Sequence, residues 1–189
     1  MPTEQKPTDR RVTRSKQLLL DALRWRLMEV GYEKVTIQSI LDRAGVGRAT
    51  FYAHFESKDD LLSSSISRLH EGLKTAGKQS GRARFGFSLP FFTHLASHRA
   101  IYATSMCQED EITVERMIRR MLRDLVRDEV STRAKPTDAE GLTIEFIVGA
   151  LWSTIVWWMN SGSSMSPIEI DAHFRQLILA ALDARSERP

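Results

Sequence analysis

Apolar residues recur at intervals of three and four along most of the chain, the period of helices that bury one face. Leu20, Leu23, Leu27 and Val30 form the first such stripe and predict a helix over 13–30, which Gly31 is suited to end. After a short GYEKV connection, Thr36 can cap a second helix carrying Ile37, Ile40, Leu41 and Ala44, and Gly45 is a natural stop for it. A third, aromatic segment begins near Arg48, about two turns long and too short to be stable without packing. Short helix, glycine turn, short helix is the helix-turn-helix arrangement. Ser57, ahead of Lys58, Asp59 and Asp60, opens a fourth helix with carboxylates in its first turn, where the helix dipole favours them. Leu61, Leu62, Ile66, Leu69 and Leu73 continue it.

Residues 77–81, GKQSG, read as a joint between two units. Beyond it, helices are predicted around 88–98, 99–107 and 110–130, the first with Pro90 near its start. Thr137 with Glu140, and Ser166 with Pro167 and Glu169, are capping boxes that open two last helices at about 138–160 and 167–184. No segment alternates as a strand does and no internal repeat is found, so the expected fold class is all-α.

The chain of 189 residues, 42% hydrophobic and 27% charged, has the composition of a soluble globular protein with a core, which excludes collagenous, low-complexity and wholly disordered classes. Its single cysteine, Cys107, can close no internal disulfide and build no paired-cysteine zinc site. The polar opening MPTEQKPTDRRVTRSKQ lacks the apolar core of a signal peptide, so a cytoplasmic location is expected. A net charge of +3 attracts nothing in particular, but its distribution is uneven: up to Lys58 there are eleven basic residues against seven acidic ones. Such a basic N-terminal module favours phosphate or an anionic surface.

The ordered run from Thr36 to Leu61 is more specific. A threonine, an isoleucine four residues on, Ala44-Gly45-Val46, and then Thr50-Phe51-Tyr52-x-His54-Phe55-x-x-Lys58-x-x-Leu61 follow one another without gaps. This pattern closely resembles the DNA-binding domain of the TetR/AcrR family of bacterial repressors. The resemblance implies a third helix that enters the major groove, a homodimer formed by the C-terminal helices, and an effector bound between the middle helices that changes the angle between the two DNA-binding domains. It further implies an N-terminal three-helix helix-turn-helix domain over 12–73 behind a flexible basic tail at 1–11, with a ligand-binding and dimerisation domain over 82–189.

The residues agree with that role on physical grounds. Phe51 and Phe55, four apart, pack the third helix against the first two, leaving Arg48, Ala49, Thr50, Tyr52 and His54 on or near its outer surface. Arg48 can donate twice to a guanine edge, Thr50 can bond a base or phosphate, and Ala49 can admit a thymine methyl. Tyr52, His54, Lys58 and the Thr36 hydroxyl suit flanking phosphates, which fix register without reading sequence. Gly47 departs from the family pattern, which often has a capping serine there; the loss is about a few tenths of a kcal/mol.

Residues 142–159, LTIEFIVGALWSTIVWWM, are apolar on nearly every side. The run is shorter than the roughly 20 apolar residues of a membrane span and contains Glu145, so a helix buried on two sides is the simpler reading. Ile144, Val148, Leu151 and Ile155 would line the subunit core while another face meets a second copy. The expected interface residues are Leu151, Ile155 and Trp158 with Phe174, Leu177, Ile178 and Ala181 of the last helix, so Leu151 and Ile155 are counted on both sides. For the effector pocket the candidates are Phe91, Tyr102, Met106, Met117, Met121, Phe146 and Trp152, with Phe87 and Phe92 beside them, although such stripes are more often plain core.

Two other classes compete. His94 and His98, four apart on one helix, could ligate a metal with help from Glu109, Asp110 or Glu111, making a helical enzyme. Residues 142–159 could instead anchor a membrane-associated adaptor. Both leave the stretch from Thr36 to Leu61 unexplained, and there is no glycine-rich phosphate loop and no nucleophile beside an identifiable base. The expectation is therefore a regulator that is not an enzyme and carries no metal or cofactor. Its partners would be double-stranded operator DNA, an unknown small-molecule effector and a second copy of itself, but no membrane.

Overall fold

The structure, a computed structural model, describes residues 7–81, 83–99, 101–102, 112–131 and 136–186; at 7–10, 112 and 184–186 it describes the backbone only. Among these residues there is no strand; the helices with described bounds are α1 (Pro7–Val30), α2 (Ile37–Ala44), α3 (Arg48–Tyr52), α4 (Lys58–Gln79), α5 (Ser88–Ser97), α6 (Ile112–Val130), α7 (Asp138–Asn160) and α8 (Pro167–Ser186), and residues 99, 101 and 102 are helical as well.

The first helix starts at Pro7, six residues before the expected Thr13, so residues 7–11 of the expected tail are helical. Proline costs nothing in a first turn, where its missing N–H would have no partner. Leu19, Leu20, Leu23 and Leu27 form the buried side of α1 and meet α2 and α4. Helix α2 opens with a reciprocal cap: Thr36 Oγ1 accepts from the Ser39 N–H at 3.1 Å, and Ser39 Oγ lies 3.2 Å from the Thr36 N–H. It ends at Gly45, whose φ of 64° is left-handed and whose N–H bonds the Leu41 carbonyl at 2.9 Å. A side chain there would cost roughly 1–2 kcal/mol, which explains the glycine.

Helix α4 runs through Gly77 to Gln79, so residues 77–79 of the expected joint are helical. The chain turns back tightly here: a Cβ on Gly86 would come to 2.0 Å from Ser80 Oγ and 3.0 Å from the Gly77 carbonyl oxygen, so a side chain would force its neighbours to shift. The following helices close on α5, where Phe92 meets Trp158 of α7 at 5.8 Å and Phe174 of α8 at 6.2 Å between ring centroids, both edge-on. Helix α6 packs on both α7 and α4, and α5 on both α8 and α4. The two capping boxes stand as the sequence predicts: the Thr137 N–H donates to the Glu140 carboxylate at 2.7 Å, and the Ser166 N–H to that of Glu169 at 2.7 Å.

Helix α7 is long and apolar enough to cross a membrane by length and composition, but half of that window is buried inside the subunit. Glu145 lies on its exposed side, paired with Arg123 of α6, whose guanidinium holds its carboxyl below the ordinary value. Most of the residues expected at a dimer face are buried within the single subunit. Leu151, Ile155, Trp158, Phe174 and Ile178 all lie inside the subunit. Trp158 is packed on Phe92, and its indole N–H donates to the Met165 carbonyl at 2.9 Å. A residue four places further on a helix shares its face, so a stripe chosen by apolarity alone cannot separate the core side from the outer side. Only Leu177 and Ala181 of the expected set are exposed.

Candidate nucleic-acid interface

The short third helix is held by two rings. Phe51 is fully buried and Phe55 nearly so, with their centroids 6.0 Å apart. Helical bonding continues past Tyr52, because the His54 and Phe55 N–H groups both bond the Phe51 carbonyl at 2.9 Å. Gly47 precedes the helix with no side-chain cap, and a Cβ there would meet nothing within 4 Å.

With those rings turned inward, Arg48 and Ala49 are exposed, Tyr52 is 52% exposed, and Thr50 is half-buried. Arg48 is not free: its Nη2 donates to Gln38 Oε1 at 2.9 Å, and the Gln38 amide N–H donates to Asp42 Oδ1 at 2.8 Å. Helix α2 thus braces the arginine of α3. Thr36 is exposed, and its hydroxyl oxygen is engaged as the cap of α2.

His54 and Lys58 are half-buried and have partners within the chain. His54 Nε2 lies 2.7 Å from Ser15 Oγ of α1. Lys58 Nζ donates to the Tyr32 carbonyl at 3.0 Å and stands 4.1 Å from the centroid of the Tyr32 ring. The Tyr32 hydroxyl in turn donates to Asp59, and burial together with that carboxylate pushes its pKa up. Gln38, Ser15 and Tyr32 are supporting residues that the sequence reading missed. Their partners lie 10, 39 and 26 residues away, and no local pattern announces such pairs.

The expected pocket residues scatter. Phe91 is buried in the core and Trp152 nearly so, Met117 and Met121 border a cleft beside His70 and Arg120, and Phe146 is 59% exposed on the outer side of α7. Met106 falls outside the described residues, as do Cys107, Glu109, Asp110 and Glu111. Tyr102 alone borders a larger cavity, of about 390 Å³, between α1, α4, α5 and α6. His94 and His98 border it too, with rings 4.3 Å apart. Each is otherwise engaged: His94 Nε2 lies 3.0 Å from the Tyr102 hydroxyl, and His98 Nδ1 lies 2.9 Å from the His94 carbonyl. Among the described residues no group of three His, Cys, Asp or Glu could hold a metal ion.

Burial, helped by the nearby His98 and Arg24, lowers the His94 pKa from 6.5 to about 4. Between those values the unfolded chain takes up a proton that the folded chain refuses. Stability therefore falls as pH drops through that window and levels off below it. His94→Gln, which does not titrate, should lose less stability than the parent between pH 7 and pH 4.5, read as the shift in urea midpoint. Equal losses would mean that His94 is not the group responsible.

Comparison with known proteins agrees with this geometry. Residues 19–64 match the family described as "Bacterial regulatory proteins, tetR family", and residues 86–180 match "Transcriptional regulator C-terminal region". The uncharacterized HTH-type transcriptional regulator YhgD of Bacillus subtilis is 30% identical over 88 residues, which are 47% of this chain and 43% of that protein. The chain matches less than half the length of the curated relatives it resembles. The crystal structure of a TetR transcriptional regulator from Streptococcus agalactiae shares the fold with a TM-score of 0.66 at 23% identity, over 90% of this chain and 97% of that one. FadR of Bacillus subtilis, solved in complex with stearoyl-CoA, shares it at 0.60 and 19% identity, over 86% and 96%.

Proposed function

The chain belongs to the TetR family of bacterial regulatory proteins, and we propose that it is a repressor which binds a two-fold symmetric operator as a homodimer and releases it when a small molecule occupies its C-terminal half. The observation that carries this reading is α3 itself, pinned by Phe51 and Phe55 with Arg48, Ala49 and Tyr52 facing outward. Arg48 would read a guanine edge, Ala49 a thymine methyl and Thr50 a base or phosphate. Tyr52 and the Thr36 hydroxyl would hold phosphates. Lys58 can do so as well, because the Tyr32 carbonyl uses one of its three N–H donors. His54 keeps a second ring nitrogen beyond its bond to Ser15.

One short helix contacts too few base pairs for useful affinity, so two copies are required, with their α3 helices spaced about one duplex turn, roughly 34–36 Å, apart. The face left for the second copy is the outer side of α7 and α8, where Leu142 (74%), Phe146 (59%), Trp157 (52%) and Leu177 (71%) are exposed beside Ala181. Exposed apolar side chains grouped in this way support an interaction surface here. FadR, solved with stearoyl-CoA, supports an effector-responsive reading of the fold. An effector would act by binding the DNA-incompetent conformation more tightly. The site residues serve recognition rather than chemistry, and the protein acts in the cytoplasm.

The test is a gel-shift titration against DNA upstream of the protein's own gene, with a scrambled control at moderate salt. Arg48→Ala should relax preference at particular base pairs by about 1–3 kcal/mol each, while Tyr52→Phe should weaken binding to all sequences alike. Equal affinity of the parent for scrambled DNA would overturn the reading, and unchanged specificity in Arg48→Ala would remove the base-reading role from that residue.

A further inference from the structure

Given that the C-terminal half takes an effector, we propose that the cavity between α1, α4, α5 and α6 is its site and selects an organic monoanion with an apolar body, its acid group held by Arg24 and Arg68. This site is not the one the aromatic and methionine stripes suggest. It lies against the DNA-binding unit and takes two of its walls from α1 and α4.

The cavity, about 390 Å³, lies in the range of small-molecule sites, roughly 300–1,000 Å³. Most of its wall is apolar, with Leu27 of α1, Leu62, Ile66 and Leu69 of α4, and Ile118 of α6 among the lining residues. Its charged lining residues, among those described, are both arginines and include no carboxylate.

The two guanidiniums are tied together from behind. Arg68 donates to the Gln17 side-chain oxygen, the Gln17 amide donates to Asp21 Oδ1 at 2.8 Å, and Arg24 Nη1 donates to the same Asp21 oxygen at 3.1 Å. Asp21 thus pairs with Arg24 and reaches Arg68 only through the neutral Gln17 amide, so the two guanidiniums and this carboxylate together carry one net positive charge. A guanidinium offers paired donors that suit a carboxylate or a similar planar oxyanion. At the α5 side the polar groups satisfy each other, His94 Nε2 with the Tyr102 hydroxyl, and Tyr102 is buried. The site therefore runs from a cationic rim to a neutral, apolar interior, the polarity of an amphipathic acid. A ligand so placed touches α1 of the DNA-binding unit and α5 and α6 of the C-terminal unit at once.

Isothermal titration of the full chain, without DNA, with octanoate, 1-octanol and octyltrimethylammonium tests this. Octanoate should bind once per chain and roughly tenfold or more tighter than the other two, the size of a hydrogen bond to a charged group. The double variant Arg24→Gln, Arg68→Gln should bring octanoate down to the level of octanol while octanol is unchanged. Gly72→Phe should weaken all of them, because Gly72 borders the cavity on α4 and a Cβ there meets nothing within 4 Å. Absence of octanoate binding at millimolar concentration, equal or tighter binding of the alcohol or the ammonium, or a preference that survives the double variant would overturn the proposal. A chain that binds its operator yet shows no such preference sinks this site and leaves the regulator reading standing. Selective octanoate binding by a chain that binds no DNA does the reverse.

Discussion

Replacing Phe146 and Leu177 together with glutamate is expected to turn a dimer into a monomer and to weaken operator binding roughly 10²–10⁴-fold, the usual worth of a second tethered grip. Both side chains are more than half exposed in the single subunit, so the substitutions remove little from its core. In a symmetric interface each substitution appears twice, and four carboxylates would be forced out of water against apolar neighbours without partners. The subunit's own melting should change little. Leu151→Ala is the contrasting variant: Leu151 is fully buried between helices, so its truncation should cost about 2–5 kcal/mol of subunit stability. Sedimentation equilibrium and thermal melting of the two variants separate the effects. If the double glutamate variant remained a dimer, the outer side of α7 and α8 would not be the interface.

The second large effect is expected at Phe51→Ala, which should destabilise the N-terminal unit by about 3–5 kcal/mol in chemical denaturation. The side chain is fully buried, contacts Tyr52 edge-on at 5.4 Å and lies 6.0 Å from Phe55. A helix of five residues has no stability of its own. Losing its main anchor should therefore also misplace Arg48 and Tyr52, and specific DNA binding should fall even at temperatures where the chain is still folded. A loss below about 1 kcal/mol would show that α3 is held by something other than this ring.

The helical boundaries were legible where capping chemistry is local. Thr36, Gly45, Ser57, Thr137 and Ser166 each stand at the helix end their residue type predicts. Apolar spacing likewise placed Phe51 and Phe55 inward and Tyr52 outward, because the position of a side chain around a helix is fixed by its number. What could not be read was which of two apolar sides of α7 faces inward. Leu151 and Phe146 are equally apolar, and only the packing of α7 against α6 and α8 decides that the first is core and the second exposed. The bonds of Arg48 to Gln38 and His54 to Ser15, and the cavity's arginine pair, depend on how α1, α2 and α4 cross, which no window of sequence contains.

Genome-wide capture of the DNA fragments bound by the protein tests the central claim most directly. The account predicts that the recovered fragments share a motif with two-fold symmetry, its half-sites about one helical turn apart, and that the Arg48→Ala protein loses preference at matching positions in both halves. Fragments with no common motif, or with a single unpaired half-site recovered equally well, would contradict it.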